Sequence, residues 1–264
     1  MTLEKWLIHP GETRGIDIET VRSLKVSMLG GQIDVIAHDE PGARIEIHSV
    51  TSKDLRIEVT GDALEIDHPQ LRWDNFLTAF RGLGSSGAKA DISLVVPRNI
   101  AITLGVVSAS ALIAGFTTDA KLNTVSGDIL VDGLTGDLDV NSVNGDVQVR
   151  GLHGAFNANS VSGDIAATGT LRRADADTVS GNVLFDSDGP ISQVNINTVN
   201  GNATLRLPEG YPSNSVVRSV SGKIVLDGVV HSGSGTTSYT GSSGELSGQF
   251  VDVRVNTVSG DLTV

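Results

Sequence analysis

Along the second half of the chain, apolar and polar residues alternate in short runs that break at a glycine and then resume. The unit is [Ser/Thr]-Val-[Ser/Asn]-Gly-[Asp/Asn/Lys]-apolar. It first stands as Thr124-Val125-Ser126-Gly127-Asp128-Ile129 and recurs around Val143, Val161, Val179, Val199, Val220 and Val258. Successive central valines lie 18, 18, 18, 20, 21 and 38 residues apart. Counted from each valine, apolar residues recur at −5, −3, +4 and +6: Leu138, Val140, Val147 and Val149 around Val143, then Val253, Val255, Leu262 and Val264 around Val258. Period-two alternation on both sides of a glycine predicts two short strands per repeat, each with one face inward. A repeat near 18 residues predicts an all-β, single-stranded β-solenoid (β-helix-like), whose coils advance by about 4.8 Å, one strand spacing.

The repeat glycines Gly127, Gly145, Gly163, Gly181, Gly201, Gly222 and Gly260 mark the turns, where positive φ or close packing penalises a Cβ. A second bend follows in Gly133-Leu134-Thr135-Gly136 and in Gly151-Leu152-His153-Gly154. The same register persists more weakly upstream, in Ile102, Leu104, Val107, Ala111 and Ile113, and again in Leu24, Val26, Leu29, Gly31, Ile33 and Val35. Ordinary strand patterns separate them, such as Leu55-Arg56-Ile57-Glu58-Val59 and Asp91-Ile92-Ser93-Leu94-Val95-Val96. The reading is an irregular N-terminal β portion over 1–100 and regular coils over 101–264. A Gly/Ser-rich insertion at 232–248 interrupts those coils, and the whole forms one continuous domain.

Two stretches depart from strand patterning. Trp73, Phe76, Leu77 and Phe80 fall at i, i+3, i+4 and i+7, which predicts a short aromatic helix near 73–81. That helix is expected to cap the solenoid or to dock a partner or a membrane interface. Residues 99–118 carry no charge and are long enough to suggest a membrane span. Their apolar positions fit the coil register, so a buried coil is expected instead. The final copy, Thr257–Val264, needs shielding if it forms an open terminal coil. The aromatic helix or a second subunit is the expected cover, ahead of the Gly/Ser insertion, because aromatic side chains cover more apolar area.

Composition sharpens this picture. Over 101–264 the acids are 14 Asp and 2 Glu, the signature of turn chemistry rather than helix. A net charge of −12 argues against nucleic-acid binding, which needs a basic face. Without cysteine there is no disulfide, iron–sulfur cluster or thiolate zinc. The histidines His9, His38, His48, His68, His153 and His231 lack metal-ligand spacing and read as surface or turn residues. Gly82-Leu83-Gly84-Ser85-Ser86-Gly87 matches a dinucleotide fingerprint but precedes a strand instead of a helix, and reads as a loop. Asp128, Asp146 and Asp164 should stack into a column that continues as Asn182, Asn202, Lys223 and Asp261. Asx turn chemistry accounts for it better than calcium, for which the lysine is a poor ligand. A second column, Thr124, Ser142, Ser160, Thr178 and Thr198, is expected to hydrogen-bond along the stack. No metal, cofactor or catalytic residue is assigned, and no G-x-S-x-G elbow occurs.

The serial Thr-Val-Ser-Gly-Asp copies, Val95-Val96-Pro97 just before the regular coils and the weak opening copy near Leu29 carry a resemblance. They resemble a bacterial adhesin-like β-strand-repeat family, also called the toastrack domain, over about Leu24 to Val264. The resemblance implies cell-envelope stress physiology and no established catalytic residues. The expectation is a non-enzymatic scaffold or binding module with candidate docking residues Trp73, Phe76, Leu77 and Phe80. Its candidate partners are a protein, the membrane periphery or a second subunit. The N-terminus shows no signal-peptide h-region, so the cytoplasm is the expected compartment. Two alternatives stand beside this reading: a carbohydrate-active β-helix enzyme, using the cluster of Arg172-Arg173 with Asp175 and Asp177, and a surface adhesin.

Overall fold

In the computed structural model, residues 3–69, 87–226, 228–231, 236–244 and 248–264 are described. The described residues form strands and turns, without a helix. They pack as two units, 1–132 and 133–264, so the first regular repeat belongs to the N-terminal unit.

The N-terminal unit holds β1 (Leu3–Ile8), β2 (Arg14–Ile18), β3 (Ser23–His38), β4 (Ala43–Thr51), β5 (Leu55–Thr60) and β6 (Ala63–Asp67). Then come β7 (Lys89–Pro97), β8 (Ala101–Ala114), β9 (Ala120–Thr124) and β10 (Ile129–Asp132). The long strands β3 and β8 run side by side, parallel, from Ser23↔Ala101 to Ile36↔Ala114. Each contributes to two sheets. The first halves of β3 and β8 join β1, β5, β6 and β9, and the second halves join β2, β4, β7 and β10. Gly31 permits the bend in β3: its φ is +109, and a Cβ there would fall closer than 3.0 Å to the backbone of Ala90. Ser108 secures the matching bend by donating its hydroxyl to the Leu29 carbonyl at 2.8 Å. Inward residues such as Leu24, Val26, Ile33, Val35, Ile45 and Ile66 are buried. The uncharged segment 99–118 is here strand β8 with its turns, alternately buried, and no helix among the described residues is long and apolar enough to cross a membrane.

The C-terminal unit holds β11 (Leu138–Asn144), β12 (Val147–Ser162), β13 (Ile165–Ser180), β14 (Val183–Ser187), β15 (Gln193–Asn200) and β16 (Ala203–Arg206). It continues with β17 (Ser213–Ser221), β18 (Ile224–Leu226), β19 (Val229–His231), β20 (Thr237–Ser243), β21 (Val251–Ser259) and β22 (Leu262–Thr263). Residues before each repeat glycine form one parallel sheet, and those after it form a second. In the first sheet β11, β12, β13, β15, β21 and β17 follow one another, with β20 antiparallel on β17. In the second, β12, β13, β14, β16, β22 and β18 do so, with β19 antiparallel on β18. The positions at −5, −3, +4 and +6 point inward, and Phe156 and Phe185 meet edge to face there with centroids 5.8 Å apart.

The order of coils differs from the order of repeats. The last copy does not form an open terminal coil: β21 lies between β15 and β17, and β22 between β16 and β18. The edge of β17 is paired by Thr237–Ser243, from the Gly/Ser-rich insertion, the cover expected to be the poorer. The reason is that an edge needs backbone partners before it needs apolar cover. A run of Thr, Ser and Gly supplies these without bulk. The aromatic helix expected near 73–81, with Trp73, Phe76, Leu77 and Phe80, lies outside the described residues, as does most of the Gly82–Gly87 motif.

Candidate binding face

Alternation decides which side chains reach the outer face of the first sheet. In the repeats of the C-terminal unit the residue before the central valine points inward and the valine points out, whereas Val125 in the N-terminal unit is buried. Val161, Val179, Val199, Val258 and Val220 are between 46% and 51% exposed. The register sets them in a row, since Thr178 pairs with Thr198, Thr198 with Thr257, and Thr257 with Ser219. Adjacent valines are therefore about one strand spacing apart, ~4.8 Å. From Val179 to Val220 the row lines an apolar groove of about 580 Å³, bordered by Thr236 and Arg218.

Beside the valines, amide and carboxylate side chains form hydrogen-bonded rows. Asn157 donates to Asp139 at 3.0 Å and Asn159 to Asn141 at 3.1 Å. Two coils on, Asn195 donates to Asp175 at 2.5 Å and Asn197 to Asp177 at 2.7 Å. Asn256 donates to Asn197 at 2.9 Å and Asn214 to Asp252 at 2.8 Å. Each bond joins neighbouring coils and fixes the rotamer of an exposed side chain, giving a preset lattice of donors and acceptors. The lattice floors a trough of about 880 Å³ that Arg172, Arg173 and Arg254 also line. Arg172 grips both oxygens of Asp137 at 2.8 and 3.0 Å. The Asp137 carboxyl is held below its ordinary range, first by the Ala155 amide donating to it and then by Arg172. Arg173 binds Asp175 at 2.5 Å. Asp175 and Asp177, which an enzyme here would use, are thus already engaged by neighbouring coils.

On the other side of the valines runs the Asx column. Asp146 accepts the amide of Asp164, Asp164 that of Asn182, and Asn182 that of Asn202, at 2.8–3.1 Å. Asn202 accepts the amide of Asp261 at 2.9 Å, and Asp261 that of Lys223 at 2.8 Å. Each side-chain oxygen caps the amide of the next coil, and Lys223, last in the row, only donates. Among the described residues no three His, Asp or Glu side chains gather as metal ligands do. The column of hydroxyls corrects the expectation of bonding along the stack. Ser142 and Ser219 donate instead to glycine carbonyls, of Gly145 at 3.1 Å and Gly260 at 3.3 Å. Ser160, Thr178, Thr198 and Thr257 bury hydroxyls without a partner among the described residues.

The repeat glycines of the C-terminal unit stand in a column of their own. Only Gly163, Gly181 and Gly260 among them have φ in the left-handed region. What Gly127, Gly163, Gly181, Gly201, Gly222 and Gly260 share is close approach: a Cβ on each would fall closer than 3.0 Å to a backbone carbonyl of the neighbouring coil. Gly145 supplies the carbonyl that Gly163 meets.

His68 departs from the surface role expected of the histidines. It is fully buried, donates its backbone amide to Ser27 at 3.1 Å and accepts from the Leu29 amide through Nδ1 at 3.4 Å. Its Nε2 has no partner among the described residues, and burial pushes its pKa down to about 4 against the opposing charge of Asp67. Asp67 in turn is bound through both oxygens by Arg56. The valine row escaped sequence reasoning as a surface. The same alternation that places −5 and −3 inward carries on to −1 and leaves the valine outward, and that was the signal available.

Several solved structures are similar over nearly the whole chain. A cell-adhesion candidate from Clostridium sporogenes shares 13% identity over 99% of this chain and 98% of its own, with a TM-score of 0.30. A lipid-binding candidate from Parabacteroides distasonis shares 13% over 96% and 97%, at 0.48. A candidate adhesin from Bacteroides fragilis shares 14% over 96% and 98%, at 0.40. No curated protein matches the chain. The Toastrack DUF4097 family model matches residues 21–264, from just before β3 to the last residue. With that match spanning both units and every copy of the repeat, the chain belongs to the Toastrack DUF4097 family.

Proposed function

We propose that the protein is a non-enzymatic binding module whose working surface is the outer face of the first sheet in its C-terminal unit, and whose partner is another protein. The observation that carries this reading is the row of half-exposed valines from Val161 to Val220. Apart from Val229 and Val230 on the edge strand β19, the large exposed apolar side chains among the described residues of the unit lie in this row, and a contiguous exposed apolar strip on a sheet marks an interaction surface. Preset Asx rows on both sides would give a partner polar contacts at little entropic cost. A link to the cell envelope and its stress response is part of this proposal.

A photo-activated cross-linker in place of Val199 should trap a discrete partner in the native host, and one in place of Thr204, on the second sheet, should not. Equal trapping at both positions, or none from Val199, would overturn the reading.

A further inference from the structure

The core of the C-terminal unit changes character toward its last coil. Along the −5 column the inward residues are Leu138, Phe156, Ala174, Val194 and Val253, and then Ser215 and Gly241. Ser213 and Ser215 are 9% and 4% exposed and stand where the neighbouring coil carries Val251 and Val253. Nothing in the register forbids valine at these two places, so the stack itself does not call for hydroxyls there. Both serines line a cavity of about 630 Å³, a volume ordinary for small-molecule sites.

The other walls are as distinctive. Tyr211 and Tyr239, the only tyrosines of the chain, both line the cavity, with Leu205 and Leu226 as apolar floor. Tyr211 is anchored through its hydroxyl to the Ile191 carbonyl at 3.2 Å, and Tyr239 stands against the His231 ring with centroids 5.1 Å apart. The charged groups at the mouth are Arg206 and Glu209, of opposite sign, and Arg206 already lies 3.6 Å from Asp186. Opposite charges side by side favour neither an anion nor a cation here.

We propose that this cavity is a binding site for a neutral pyranose sugar. Such a ring presents an apolar C–H face suited to a tyrosine ring and a rim of hydroxyls that both donate and accept. Serine hydroxyls can answer in either sense. The site is separate from the valine row and does not depend on the reading of that face.

The test is ligand-observed saturation-transfer NMR on the full chain with glucose, galactose, N-acetylglucosamine, cellobiose and maltose, each at millimolar concentration, and with octanoate as an aliphatic probe. At least one sugar should show transfer. In Ser215→Val, which fills the cavity, and in Tyr239→Ala, its affinity should fall at least tenfold, whereas Asp175→Asn on the outer face should leave it unchanged. Ser215→Val should also melt no lower than the parent, because it continues the valine of the neighbouring coil. Absence of transfer from every sugar, equal transfer in Ser215→Val, binding of octanoate alone, or a lowered melting temperature in Ser215→Val would each overturn the proposal.

Discussion

The backbone amide of Lys223 donates to the carboxylate of Asp261 at 2.8 Å, across 38 positions of sequence. The bond shows how the chain closes the C-terminal unit. It builds the coil of β17 and β18 first, reverses through β19 and β20, and then threads the last repeat into the space left beside β15. The threaded copy buries Val251, Val253, Val255 and Leu262.

Removing residues 249–264 should therefore do more than fray an end. Burial of a side chain of this size is worth about 1.5–3 kcal/mol, so the four together contribute roughly 6–12 kcal/mol. That is comparable with the whole stability of a domain, about 5–15 kcal/mol. The shortened chain should lose the cooperative melting of its C-terminal unit, seen by circular dichroism and limited proteolysis. A small drop in melting temperature with cooperativity intact would show that the last copy is peripheral.

The glycine column makes a sharper test of mechanism. Gly201 has no left-handed φ, but a Cβ on it would run into the Gly181 carbonyl, whereas a Cβ on Gly15 would meet nothing within 4 Å. Gly201→Ala should cost about 1–3 kcal/mol through forced separation of the coils. Gly15→Ala should stay within about 0.5 kcal/mol of the parent. Chemical denaturation of the two variants decides it, and equal midpoints would mean that the coils can part without cost.

Much of this architecture is legible in the sequence because its cause is local. Period-two alternation fixes which of Leu138, Val140, Val147 and Val149 face inward, whatever the neighbours are. The position of Val258 in the stack is not local. Every coil offers the same strand edges and the same register, so the copy around Val258 fits beside β15 as well as beside β17, and the repeat pattern is silent on which arrangement closes both edges. The polar lining of the end cavity is hidden for the same reason. Ser213 and Ser215 read as ordinary strand serines until the direction of their faces is known. His68 sits in the N-terminal unit beneath strands distant in sequence, and its burial depends on that cover.

The Asx column should tolerate exchange of charge but not loss of its acceptor. Asp164 accepts from both the backbone amide of Asn182, at 2.8 Å, and its side chain, at 3.1 Å. Asp164→Asn keeps an acceptor in place and should leave the denaturation midpoint nearly unchanged. Asp164→Ala strands the amide and should cost about 0.5–1.5 kcal/mol. Added calcium should shift neither midpoint, because the oxygens serve the next coil. A stabilisation by millimolar calcium that vanishes in Asp164→Ala would assign the column to a metal instead.

His68 gives the fold a pH dependence with a definite window. Its pKa is pushed down to about 4 in the folded protein by burial, against an ordinary value of 6.5. The unfolded chain therefore binds the proton first as pH falls. Stability from the neutral, buried ring is complete above about pH 6.5, declines from there toward pH 4 and has gone below that. A separation of this size corresponds to about 3 kcal/mol across the window. Carboxylates held low in the fold, Asp137 among them, lose their contribution only at lower pH, beneath their ordinary range. The two effects thus separate on the pH axis. Urea denaturation between pH 7 and 4.5 should show the parent losing stability steadily, and His68→Gln, which removes the titrating group, should flatten that slope. If the two slopes coincide, the proton is taken up elsewhere and His68 does not govern the acid sensitivity of the N-terminal unit.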